Sequence, residues 1–473
     1  MKTRYAIMIA AALLTIQPFA IARSADNTLT PPRPNVLFII LDDLNTRLGC
    51  MGDKDARTPN IDRLATHGVV FERAYCQSPS CHPSRSSFLS GMRPERTMIF
   101  SFDKRVRDVV PDVVFMPAHF TNNGYFTGRI DKVFHNGLDY PDCWTVSEEP
   151  YGKVVQLVQD HKELGLEGKV TPLPRMRGMT GENGQLWIVK DTDVKEEKFP
   201  DVIDAAKGIS YMERALSEKK PFFVAVGLRR QHLTWVVPER FAKRIDPAKL
   251  EIGDRSPGEN GELMPEEDLR NGRWGYLAAE TYSDDQVGKL LDFLERQKLW
   301  DNTVVVLIGD NGYCLGEQAN HFGKGNFFER SVHVPLIIAT PNSSQAGKKT
   351  RHIVELLDLY PTLVDLAGLP KPSSLLQGRS LVPLLKNTAG QWEDRAVSIR
   401  PLNWKPDETK FLRTVRTDRY RLNVDPQGKP AELFDAEADP LQQKNLVNDP
   451  SQKKTIMQLI ELLNQHGAKD SGS

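Results

Sequence analysis

Four uninterrupted apolar runs, two of them ending on carboxylates, restrict the fold of this 473-residue chain more than any other feature. Residues 35–41 run into Asp42-Asp43, and residues 304–309 run into Asp310-Asn311-Gly312. Residues 222–226 and 335–338 are the other two. Runs without polar alternation suit strands covered on both faces, because a half-exposed strand alternates. Helical patterns lie between them at 60–67, 202–217, 277–298 and 354–367. This order predicts an α/β fold with a large, mostly parallel central sheet flanked by helices. In such sheets the groups that follow strand carboxyl ends collect in one crevice, where ligands bind.

Residues 34–385 are expected to form this main domain. Beyond them the character changes: short strand-like runs at 396–400, 411–415 and 420–424 precede a helical pattern at 451–465. They predict a smaller C-terminal α+β subdomain over 390–468. The connection at 145–200 is polar and aperiodic, as long functional loops often are. Residues 1–25 read as a signal peptide, with a basic Met-Lys-Thr-Arg start, an apolar stretch from Tyr5 to Ile16 and an Ala20-Ile21-Ala22 site. Export to the periplasm or the medium is the expectation. No later segment has the length and apolarity of a membrane span.

Lys plus Arg and Asp plus Glu each total 62, which leaves no global field to steer the chain to nucleic acid or acidic lipid. Five cysteines, Cys50, Cys76, Cys81, Cys143 and Cys314, are an odd number at irregular spacing. That argues against a disulfide scaffold or a zinc site and for free, buried thiols.

Asp42, Asp43, Asp310 and Asn311 offer four hard oxygen donors at the ends of two core strands, a set suited to Ca²⁺ or Mg²⁺. An Asp pair after a strand also caps helices; a second pair in the same crevice favours a metal. Cys81-His82-Pro83-Ser84-Arg85 places a thiol just before a helix with Pro in its first turn, where the positive helix end attracts an anion.

The run Cys-x-Pro-Ser-Arg resembles the signature of sulfatases, in which the cysteine is oxidised to formylglycine (3-oxoalanine) after translation. The segments 35–43, 58–62, 81–91 and 309–316 follow one another as in sulfatases of the alkaline-phosphatase superfamily. Asp131-Lys132-Val133-Phe134-His135-Asn136-Gly137 resembles the Gly-Lys-Val-Phe-His-Pro-Gly segment of iduronate-2-sulfatases. The tail from Glu432-Leu433-Phe434-Asp435 to Asp439-Pro440 and Asn445-Leu446 is similar to the closing motif of the same group.

The resemblance implies a sulfuric ester hydrolase acting on a sulfated carbohydrate, with a terminal uronate 2-O-sulfate as the specific expectation. It implies one Ca²⁺ per chain, held by Asp42, Asp43, Asp310, Asn311 and the modified side chain at 81. A formylglycine-generating enzyme is the implied maturation partner. One hydroxyl of the hydrated aldehyde at 81 would attack sulfur. Arg85 would hold that group, Lys132 and Lys324 would grip the sulfate, and His232 would protonate the departing oxygen. His135 would then deprotonate the second hydroxyl.

The chain departs from the pattern at four places, one being the spacing from Asp310 to Lys324, which differs by about one residue from the iduronate type. Arg230-Gln231-His232 stands where Lys-Pro-His is usual, Asp131 replaces a glycine, and Asn311 replaces the histidine of the iduronate type. Arg93, Arg96, Arg229 and Arg230 read equally as binders of substrate anions or as surface arginines paired with local acids. Trp235 reads as a buried structural residue rather than a sugar platform. Two rivals remain on sequence grounds: a phosphate ester hydrolase of the same superfamily, and a glycan-binding protein whose Cys81 is never modified.

Overall fold

The computed structural model describes residues 33–149, 171–172, 186–189, 199–258, 261–405 and 409–468. The expected signal peptide and most of the 145–200 connection lie outside the described residues. The apolar runs form the centre of an eight-stranded sheet. In chain order its strands are β1 (Asn35–Leu41), β2 (Val69–Tyr75), β3 (Phe126–Ile130), β4 (Val146–Glu148), β5 (Phe222–Leu228), β6 (Thr303–Gly309), β7 (His333–Ala339) and β8 (Lys349–Glu355). Their spatial order is β8-β2-β7-β6-β1-β5-β3-β4. β7 runs antiparallel to both neighbours and every other pairing is parallel. β2 escaped the sequence reading because Glu72 and Arg73 interrupt its apolar run.

Alternate side chains of each strand feed two cores, one on each face. Phe38, Ile40, Phe223 and Val306 pack with Phe88, Leu89, Tyr360 and Leu363. These last four belong to α2 (Cys81–Ser90) and α5 (Leu359–Leu366). Leu37, Ile39, Val224 and Leu307 pack on the other face with Ile61, Met212, Leu290 and Leu294. Those come from α1 (Pro59–His67), α3 (Pro200–Ser217) and α4 (Glu266–Arg296). Each such fully buried side chain contributes roughly 1.5–3 kcal/mol.

Two helices differ from expectation. α4 begins eleven residues before the pattern at 277, because Glu266, Glu267 and Asp268 favour a helix start without adding apolar periodicity. The pattern at 354–367 opens instead as the end of β8. Glu355 and Asp358 then form a capping box around a short 3-10 turn, and the α-helix starts at Leu359.

The C-terminal sheet is antiparallel, in the order β9 (Arg395–Pro401), β10 (Phe411–Thr417), β11 (Tyr420–Val424), β12 (Pro430–Asp435). Its inner face packs against Leu459 and Leu463 of α6 (Lys453–Ala468). β9 ties this sheet to the segment that precedes Cys81. Ile399 N donates to Gln77 O at 2.8 Å and Ser398 Oγ to Cys76 O at 2.6 Å. No helix among the described residues is long and apolar enough to cross a membrane.

Candidate active site

Strand register places the site. Leu41 pairs with Gly309 and with Leu228, and Ile130 with Val226. The residues that follow these strands, Asp42, Asp310, Arg229 and Asp131, therefore emerge side by side at one sheet edge. Two glycines permit the approach. A Cβ at Gly309 would stand 2.2 Å from Leu44 O, and one at Gly227 2.4 Å from Lys132 O.

α2 delivers Cys81 to this edge. All ten of its residues are buried, so no apolar stripe marked it in the sequence. Cys81 is its first residue, at the positive end of the helix dipole, and is 2 % exposed. Its Sγ lies 2.7 Å from Lys324 Nζ, 3.4 Å from Asp42 Oδ1 and 3.8 Å from Lys132 Nζ. One turn along, Arg85 donates Nε to Asp310 Oδ2 at 2.7 Å and Nη2 to Asp42 Oδ1 at 3.2 Å. Its Nη1 donates to the carbonyl oxygens of Lys132 and Val133. Ser84 Oγ donates to Asp310 O at 2.5 Å. α2 thus aligns both carboxylate-bearing strand ends and the Lys132 loop at once.

Oxygen donors on Asp42, Asp43 and Asp310 lie within 4.8 Å of one another, and all three residues are buried. Asn311 donates Nδ2 to Asp43 Oδ1 at 2.8 Å, while its buried Oδ1 has no hydrogen-bond partner among the described residues. Three carboxylates and an unspent amide oxygen make an all-oxygen donor set that fits a hard divalent cation. The carboxylates are matched by three cations. Lys132 Nζ donates to Asp42 Oδ2 at 2.5 Å, Lys324 Nζ to Asp43 Oδ1, and Arg85 bridges Asp42 and Asp310. Burial pushes the Asp42 carboxyl up, yet Lys132, His232, Arg85 and Lys324 together hold it well below the usual range. Burial, with Asp42 and Asp43 nearby, leaves Asp310 raised despite Arg85. Burial and Asp42 raise the Cys81 thiol against the pull of Lys132 and Lys324.

His232 brings a ring nitrogen within 4.8 Å of the Cys81 sulfur and an Asp42 oxygen. Its Nδ1 lies 2.8 Å from Leu233 O. A carbonyl can only accept, so Nδ1 carries a proton and Nε2 is the atom left for chemistry. Burial, then Lys132, lower its pKa. His135 holds Nδ1 3.1 Å from Asn136 O, which likewise leaves Nε2 open. Burial, then Lys132 and His82, push it down to about 2. Its ring lies edge-on to Phe102 at 4.8 Å and to His82 at 5.9 Å. Among the described residues, no hydrogen bond joins His135 to Cys81.

Three of the four remaining arginines are buried. Arg93 pairs with Glu355 at 3.0 and 2.6 Å, and Arg229 with Asp131 at 2.6 and 2.5 Å, all four side chains being buried. Arg230 is buried beside Asp201, whose carboxylate accepts its backbone N–H at 3.2 Å, whereas Arg96 is exposed. Trp235 is fully buried, donates Nε1 to Gln231 O at 2.8 Å and meets Tyr276 and Tyr313 edge-on, a structural role. Sequence reasoning missed Tyr276, whose hydroxyl donates to Asp43 O at 2.8 Å and accepts from Asn45 N at 2.7 Å. It also missed the Asp131–Arg229 pair, although the departure from glycine at 131 was its signal. All five cysteines are free, four of them buried.

The family model described as Sulfatase matches residues 34–369, which is more than two thirds of the chain. The chain belongs to the sulfatase family. A second model, described as N-sulphoglucosamine sulphohydrolase, C-terminal, matches residues 316–469 of this sulfatase. Mouse iduronate 2-sulfatase is 30% identical over 426 residues, covering 78% of this chain and 74% of that protein. Human iduronate 2-sulfatase is 29% identical over 527 residues, covering 90% and 93%. A Formosa agariphila sulfatase is 30% identical over 502 residues, covering 98% and 92%. Among solved structures, the phosphonate monoester hydrolase of Agrobacterium radiobacter aligns with TM-score 0.74 at 21% identity over 92% of this chain and 96% of its own. A protein in complex with its substrate D-glucosamine-2-N,6-O-disulfate aligns with TM-score 0.71 at 20% identity over 93% and 99%. These structures show the shared fold. The family and its sulfatase relatives make this chain a sulfuric ester hydrolase.

Proposed function

We propose that this sulfatase removes the 2-O-sulfate from a uronate at the end of a sulfated carbohydrate, with Cys81 carried as formylglycine and one Ca²⁺ held by Asp42, Asp43, Asp310 and Asn311. The observation that carries the reading is the focus on position 81, where Lys324, Lys132, Asp42 and His232 all converge. Similarity to proteins named iduronate 2-sulfatase supports the choice of sugar. Burial of the focal side chain supports action at a chain end, because a mid-chain sugar would have to bend into the crevice.

The oxidised side chain supplies a hydrated aldehyde as nucleophile, and the ion supplies polarisation of the sulfate oxygens. The chain's own residues do the rest. Lys132 and Lys324 take the sulfate charge at the positive end of α2, in a site that excludes water. Arg85 fixes the two strand ends against each other and screens Asp42 from Asp310. His232, locked through Nδ1, presents Nε2 to the departing sugar oxygen and, in its imidazolium form, gives it the proton on that nitrogen, returning to the neutral ring. His135 is neutral at any working pH, so its Nε2 accepts the proton of a hydroxyl at position 81. Maturation calls for a formylglycine-generating enzyme, and the basic-apolar start of the chain supports export to the periplasm or medium.

The test is turnover of a 2-O-sulfated uronate disaccharide beside its 6-O-sulfated isomer and a phosphate ester. Cleavage of the 2-O ester ahead of both is expected. Preference for the isomer would refute the sugar assignment, and preference for the phosphate the sulfatase mechanism.

A further inference from the structure

Asp131 is an unexpected residue for its place. Its φ of 52° lies in the left-handed region, where glycine is free of strain, and its carboxylate is wholly buried. A side chain there strains the backbone, and a buried charge adds desolvation. Arg229 answers that charge with a two-pronged grip, Nε to Oδ2 at 2.6 Å and Nη2 to Oδ1 at 2.5 Å. Each partner opens a loop that ends in a reacting group. Lys132 follows Asp131 directly, and Asn136 Nδ2, beside His135, reaches Asp131 Oδ1 at 3.5 Å. Arg229 O accepts His232 N at 2.9 Å, closing the turn that presents the imidazole.

We propose that the Asp131–Arg229 pair is a positioning device that locks the Lys132 loop to the His232 turn, setting the distance between the sulfate-gripping ammonium and the proton donor. This rests on the roles given above to Lys132 and His232. The two departures from the family pattern, aspartate for glycine at 131 and the arginine-rich turn before His232, become one paired feature. A bidentate guanidinium–carboxylate contact fixes angle as well as distance, which a single hydrogen bond does not. Displacing a catalytic group by about 1 Å costs on the order of 10²-fold in rate.

The surroundings make the pair testable without losing the fold. Behind Arg229 lie Arg230 and the buried carboxyls of Asp201 and Asp204. Asp131→Gly removes one of three acids facing two arginines, leaving two against two, and relieves the left-handed strain. The enzyme, its Asp131→Gly variant and its Asp131→Asn variant are assayed on aryl sulfates of graded leaving-group acidity and on the sugar sulfate, with thermal melts to check folding.

Asp131→Gly is expected to lose about tenfold or more in kcat on the sugar sulfate, where the departing oxygen needs a proton, with KM little changed. The loss is expected to shrink as the leaving group becomes more acidic, because such a group departs without help. Asp131→Asn, which tolerates the left-handed backbone and keeps one contact to the guanidinium, should recover part of the loss. An equal loss across all leaving groups, or none on any, overturns the proposal. Absence of turnover by the unmutated, matured enzyme on every sulfate ester overturns the underlying assignment first, and this one with it.

Discussion

Lys324 Nζ stands 2.7 Å from Cys81 Sγ and also donates to Asp43, across 243 positions of sequence. Gly323 and Gly325, with φ of 122° and 89°, shape the loop that brings the ammonium there. Burial opposes its charge, but Asp43 and Cys81 hold its pKa well above the ordinary value. It therefore stays a cation wherever the enzyme works. Replacing it, Lys324→Ala, should lower kcat/KM for sulfate esters by about 10²–10³-fold, the scale of losing one preorganised charge contact. Calcium binding, followed by calorimetry, should survive.

Three carboxylates matched by Arg85, Lys132 and Lys324 leave the site near neutral, so an added cation and an added anion help one another. Calcium and inorganic sulfate should bind cooperatively, by about 1–3 kcal/mol of coupling. Titrating sulfate into the protein with calcium and then with chelator measures this. Equal affinities would remove the ion from the sulfate pocket. Asp310→Ala, which loses a ligand and the Arg85 contact, should abolish the coupling.

How much of this was open to sequence reading depended on which groups announce themselves. Strands buried on both faces leave continuous apolar runs, and the carboxylates closing β1 and β6 were legible because polar residues end those runs abruptly. The motif around Cys81 was legible by resemblance. α2 was legible from the proline in its first turn and not from periodicity, since a helix buried all round has no polar face. Asp131–Arg229 and Tyr276 were hidden for a different reason. Their partners are distant in sequence and meet only in the fold, Asp131 and Arg229 through strand register and Tyr276 from α4, which no local pattern encodes.

Proton donation by His232 has a pH signature. Burial and Lys132 depress its pKa in the free enzyme, so the acidic form is lost on rising through a value below the usual 6.5. kcat/KM for a sugar sulfate should therefore fall from mildly acid pH towards neutrality, reporting the free enzyme. An aryl sulfate with an acidic leaving group should show a shallower fall. His232→Ala should flatten the limb altogether. An undiminished limb in that variant would assign the proton to another group.

Stability should also weaken in acid. Burial pushes His82 and His333 each down to about 4 from 6.5, with Nε2 of each set against a backbone carbonyl. Above pH 6.5 both rings are neutral folded or unfolded. Below it, the unfolded chain binds protons that the folded one refuses, so stability drops as pH falls from 6.5 towards 4. Melting temperatures across that window should decline steadily. A flat profile would mean that neither ring is held neutral by the fold.

The most direct test concerns position 81. Preparations with different extents of maturation are assayed for sulfate release at saturating calcium. The fraction of chains whose Cys81 peptide carries the lighter aldehyde or its hydrate is read by mass spectrometry. A rate proportional to that fraction, extrapolating to zero for the pure thiol and absent in Cys81→Ala, is the expected result. Undiminished turnover by the pure thiol form or by Cys81→Ala would contradict the account.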